Sequence, residues 1–211
     1  MTTYSSKTVV CAYCNKETEV TEITSTNAFG PCDLDLRPPK MRRNTIHVTL
    51  QVCPHCGYAT NDLEKTPDNL EKFLKVFPTL PKGNDIVGHY RLAGDISRLV
   101  DEDHDRAFGM YLRGAWCADD KGATDRAKEM RLLVLEEARY LLAEMDTPTP
   151  DFLLRISDIA RRALEFDYAN SLLKQAKDLA PQGFVAKVID LEQKLIEAKD
   201  TACHKVDEVE Q

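Results

Sequence analysis

Apolar residues along this chain follow two periods. They alternate through roughly the first 60 residues and then recur every three to four positions. In the early part, Lys7–Val10 reads as a strand, and Glu17–Thr24 alternates as its hairpin partner would. The run from Ile46 to Val52 predicts a further strand, with Ile46, Val48, Leu50 and Val52 on one face and His47, Thr49 and Gln51 on the other. Between them lies an irregular stretch, about residues 25–44, rich in Gly, Pro, Asn and Asp.

The later period predicts helices. Thr66 with Pro67 reads as a cap and first helical position. The apolar stripe Leu70, Phe73, Leu74 and Phe77 follows and stops at Pro78. Stripes through Ile86–Val100, Ala107–Trp116 and Ala127–Met145 predict three more helices. Thr149 and Pro150 repeat the cap-plus-proline start, and stripes through Leu153–Leu164, Tyr168–Ala180 and Phe184–Leu195 close the set. Leu153, Ile156, Ser157, Ala160, Ala169, Leu173, Ala176 and Pro181 match a degenerate tetratricopeptide pattern in register, although no second copy occurs at the repeat period. An ordinary antiparallel helix pair would carry the same residues. The predicted class is α+β: a small N-terminal β zinc ribbon followed by an all-α, tetratricopeptide-like domain. The expected boundaries are 1–62 for the ribbon with its long inserted loop, 63–203 for the helices and 204–211 for a frayed tail.

Composition narrows the function classes. The net charge of −7 makes the surface as a whole a poor polyanion binder. The charge is uneven, at +1 over residues 1–60 and −8 over the rest. No apolar run approaches membrane-span length and the first ten residues carry no apolar signal core. Motifs for nucleotide binding, zinc proteolysis and serine hydrolysis are absent. Seven cysteines, an odd number with four in metal spacing, fit a reducing cytoplasm better than a disulfide framework.

Those four cysteines carry the clearest chemistry. Cys11-Ala-Tyr-Cys14 and Cys53-Pro-His-Cys56 are two knuckles, followed by Asn15 and Gly57, residues that tolerate a left-handed backbone. Thiolates spaced by two residues in such turns make a closed tetrahedral site for Zn²⁺, with iron the less favoured alternative. A redox role for one pair is a further alternative, opposed by the presence of two pairs with flanking strands. Cys32, Asp33, Asp35 and His47 form a speculative second site, for which a partly buried loop is the simpler account. Arg37, Lys40, Arg42 and Arg43 are the one concentrated basic stretch and a candidate partner-binding loop. No aromatic residue interleaves it, which disfavours nucleic acid. Trp116 reads as core, and histidines 89, 104 and 204 as surface residues.

The chain resembles the bacterial proteins grouped as domain of unknown function 2225. The resemblance runs from the first CxxC through Asp33-Leu34-Asp35 and Val48–Val52 to Cys53-Pro-His-Cys56-Gly57-Tyr58-Ala59. It extends loosely to Tyr111-Leu112-Arg113-Gly114-Ala115-Trp116. It implies the same architecture and a metal on Cys11, Cys14, Cys53 and Cys56, and it supplies no reaction. The expected function is a non-enzymatic, cytoplasmic zinc-binding protein whose helical surface takes a protein partner. The alternatives are a nucleic-acid-associated or regulatory protein using residues 37–43, and an enzyme or metal sensor around Cys32 and Asp35.

Overall fold

The computed structural model describes residues 1–210. Its first hairpin pairs β1 (Thr3–Val10) antiparallel with β2 (Glu17–Ser25). Val9 lies opposite Thr18, and these two together with Val20 are buried while most of the hairpin is exposed. The alternation thus gives one covered face and one open to water.

The strand expected over Ile46–Val52 does not form. A short helix, α1 (Lys40–Arg43), leads into a 3-10 turn over Ile46–Val48. Only Gln51–Val52 (β3) pairs, with Ala59–Thr60 (β4). Side chains take the groups that a ladder would use. The Ile46 carbonyl accepts from the hydroxyls of Thr49 (2.9 Å) and Tyr90 (2.6 Å), and Thr45 donates its hydroxyl to the Arg42 carbonyl (2.7 Å). Such local bonds compete with sheet pairing. Ile46 and Leu50 still reach the core and His47 and Thr49 stay exposed, so the alternation of burial is kept without the strand.

Helix α2 (Leu70–Val76) starts later than Thr66-Pro67 suggests. Asn69 caps it, accepting from the Lys72 N–H at 2.9 Å, while the Asp68 N–H is held by Asp101 at 2.9 Å. Only Phe73 of its stripe is buried, and Leu70 and Leu74 remain 44% and 47% exposed. The helices α3 (Ile86–Leu99), α4 (His104–Asp120), α5 (Thr124–Glu144), α6 (Pro150–Arg162), α7 (Phe166–Asp178) and α8 (Phe184–Glu197) each pack on the next. The α3–α4 crossing is close because Gly94 has no Cβ, which would otherwise lie 2.3 Å from the Tyr111 ring. Thr149 caps α6 with Pro150 in its first turn, as its sequence predicts. Of the residues matching the repeat pattern, all but Pro181 are buried on α6 and α7, and Ser157 donates to the Ala169 carbonyl at 3.0 Å. Helix occupies 53% of the chain and strand 11%, so the α+β class, β first and helices after, holds.

The irregular loop and the tail are both held against the body. In the 25–44 loop, residues 28–30 are exposed, but Asp33, Leu34, Asp35 and Arg37 are buried. The tail does not fray over its described part. Its His204 carbonyl accepts from Leu34 N–H (2.9 Å), Val206 N–H donates to the Cys32 carbonyl (3.0 Å), and Lys205 bridges to Asp33. A 3-10 turn over Val206–Glu210 follows, and Gln211 lies outside the described residues. Leu63, next to the expected domain boundary, is fully buried. It is tied to the ribbon through Ala12 N–H and Gln51 Oε1.

Candidate metal centre

The two knuckles fold alike. Cys11 carbonyl accepts the Asn15 N–H and Cys53 carbonyl accepts the Gly57 N–H, both at 2.8 Å. Each turn then closes onto a strand, through Cys11 N–H to Lys16 carbonyl and Cys53 N–H to Tyr58 carbonyl. Both turns need the left-handed region at the same place, met by Asn15 (φ 55°) and Gly57 (φ 83°). Gly57 is also required by space, since a Cβ there would lie 2.2 Å from the Pro81 carbonyl oxygen.

This symmetry brings the four sulfurs of Cys11, Cys14, Cys53 and Cys56 within 4.8 Å of one another. Cys11 and Cys56 are 3.8 Å apart, and Cys14 and Cys53 3.6 Å. A tetrahedron with metal–sulfur bonds of about 2.3 Å has an edge of about 3.8 Å, so the donor set fits one ion. Burial pushes the Cys11 and Cys56 thiols up, against ionisation. At Cys53 burial acts the same way, but the backbone N–H groups of Cys56 and His55 together with the Cys56 and Cys14 thiols outweigh it and lower the pKa. Such N–H groups stabilise thiolate sulfur, and a bound cation would supply the remaining compensation. These four cysteines could therefore hold a metal ion.

An aromatic cluster anchors the centre to the helices. Tyr13, inside the first knuckle, meets Phe73 of α2 edge-on at 5.3 Å, and Tyr58, after the second, does so at 5.8 Å. Buried edge-to-face pairs add to the area they cover. Sequence reasoning missed this anchor, although a tyrosine in or beside each knuckle was the available signal.

The other expected site residues are dispersed. Arg37 is buried and pairs with Asp120, and Arg43 pairs with Asp33 at 2.6 Å and donates to the Pro38 carbonyl. Only Lys40 and Arg42 of the basic stretch stand exposed. Asp35 is fully buried and accepts from Trp116 Nε1 (2.7 Å), Arg162 (2.9 Å) and the Arg37 N–H (3.1 Å). Cys32 is half-buried, its thiol pushed up by burial, and His47 is exposed on the 3-10 turn. Among the described residues, the four cysteines are the one group of three or more Cys, His, Asp or Glu donors drawn this close. The second site expected from Cys32, Asp33, Asp35 and His47 is not assembled, because its carboxylates are engaged with arginines.

Those arginines form a network that sequence reading did not find. Arg162 bridges Asp35 and Asp119 (2.9 and 2.8 Å), and Arg131 pairs with the same Asp119. Arg161, fully buried, holds Asp158, Glu192 and the carbonyls of Asp200 and Ala202. Burial, with Asp158 nearby, pushes Glu192 up, and burial likewise raises Asp158. The network joins the inserted loop, α4, α5, α6, α8 and residues 200–202 beyond it.

Comparison of the chain with protein-family models, with curated proteins and with solved structures returned no match.

Proposed function

We propose that this protein is a zinc-stabilised, non-enzymatic binding protein. Cys11, Cys14, Cys53 and Cys56 hold one structural Zn²⁺, and the helical body takes a protein partner. The carrying observation is the four-sulfur group, all within 4.8 Å of one another with two edges of 3.6 and 3.8 Å, a set that fits one tetrahedral ion and leaves no ligand position for a substrate. A structural ion of this kind contributes on the order of 10 kcal/mol to folding of its domain. The carboxylates and arginines near Cys32 are engaged with each other, which supports the reading without catalysis. Seven cysteines without a disulfide support a reducing, cytoplasmic setting. The resemblance to domain of unknown function 2225 belongs to the same proposal.

For the partner, Leu70 and Leu74 on one turn of α2 are exposed apolar side chains beside the aromatic anchor. Metal analysis of purified protein tests the first half, with one zinc per chain expected and visible iron–thiolate absorption as the contrary result. Affinity capture with the wild type and with Leu70→Lys/Leu74→Lys tests the second. A partner retained equally by both moves the contact away from α2, and no specific partner for either removes this reading. Nucleic-acid binding retains only Lys40 and Arg42 as free cations of the basic stretch. Its test is the salt dependence of DNA and RNA binding.

A further inference from the structure

Beside the metal centre, a groove of about 350 Å³ runs between the second knuckle and the first turns of α3. Its walls are Leu50, Val52, Pro54 and Ile86. No charged side chain lines it, in a chain where 30% of residues are charged. His89, contrary to its expected surface position, is only 5% exposed, and its imidazole lines this groove. Among the described residues that ring has no hydrogen-bond partner. Its nitrogens are not sealed from solvent, so they open onto the groove and can bond a ligand seated there. Burial lowers the His89 pKa, so at neutral pH the ring is uncharged and offers one donor and one acceptor nitrogen. Asn84 and, at the exposed mouth, His47 are the other side-chain polar groups.

We propose that this groove is a binding site for a small, uncharged aromatic compound of the phenol class, its ring between Leu50, Val52, Pro54 and Ile86 and its hydroxyl on His89. An anion or cation would lose its hydration here without meeting a counter-charge. A purely aliphatic ligand would fill the walls and leave His89 unpartnered. The size and the mix of apolar wall with a few polar groups are those of small-molecule sites. Pro54 lies between two metal-binding cysteines, so one wall stands where the loaded knuckle holds it.

The test uses the full, metal-loaded chain and p-cresol as probe, followed by the NMR signals of the His89 ring. Saturable shifts are expected, with a dissociation constant on the order of millimolar. Toluene, the same shape without the hydroxyl, should bind about tenfold more weakly, the value of one net hydrogen bond. His89→Phe keeps the bulk and should equalise the two probes. The wild-type comparison stands without that variant should it fold poorly. Absence of saturable shifts, or equal binding of p-cresol and toluene by the wild type, overturns the proposal.

Discussion

Trp116 donates its indole N–H to Asp35 at 2.7 Å across 81 residues of sequence, and Arg162 donates to the same carboxylate oxygen at 2.9 Å. The bond converts an acidic loop residue into a buried hub. Asp35→Ala would leave Arg162 without one of its two carboxylates, and breaking a buried pair of this kind costs about 3–5 kcal/mol. Denaturant unfolding followed by Trp116, the only tryptophan, reads both the stability and the environment. Asp35→Asn keeps an acceptor for the indole and should lose less; equal stability of Asp35→Ala and wild type would remove the hub role.

Metal removal should act locally first. Cys53→Ser takes a sulfur from the tetrahedron, so the ion is expected to leave and amide protection to fall in β1–β2 and β3–β4 while α5–α8 keep theirs. Protons compete with the ion for thiolates, so affinity should fall as pH falls, read with a chromophoric chelator. A metal-free variant with unchanged ribbon protection would contradict a structural role.

The tail is expected to be a latch. Deleting residues 204–211 removes the His204 carbonyl from Leu34 and the Val206 N–H from Cys32. Hydrogen exchange should then rise at residues 32–37, with the metal retained because no ligand is touched. Unchanged exchange there would show that the arginine network alone holds the loop.

Glu192 gives a pH signature. Its folded pKa lies above the ordinary 4.5, raised by burial first and by Asp158 second. An acid raised in this way favours the folded state below its unfolded pKa, and that contribution declines as pH rises toward the folded value. Glu192→Gln retains an acceptor for Arg161 and cannot ionise. Its melting temperature relative to wild type should therefore improve from about pH 5 to about pH 8, and a pH-independent difference would refute the shift.

What was legible in the sequence was local. Two knuckles of the same spacing, each followed by a residue that accepts positive φ, specify the four clustered sulfur donors because donor geometry is set within a turn. Stripes at helical spacing predicted all six helices from α3 to α8, since an amphipathic face of that length has one period. Failures occurred where distant side chains replaced local preference. The strand expected over Ile46–Val52 lost to hydroxyls from Thr49 and Tyr90, the latter 44 residues away. Leu70 and Leu74 kept helical spacing without finding a surface to cover them.

The sequence by itself determined the class, the helices α3 to α8 and the four sulfur donors. Tertiary structure alone decided the fate of the loop and the tail. Asp33, Asp35, Arg37 and Arg43 have the composition of a solvated basic-acidic loop, and their spacing carries no sign of burial. Asp33, Asp35 and Arg37 are buried all the same: Arg43 meets Asp33 from within the loop, while Trp116, Asp120, Arg155 and Arg162 arrive from remote helices to meet Asp35 and Arg37, and a buried charge is tolerated only where such partners exist.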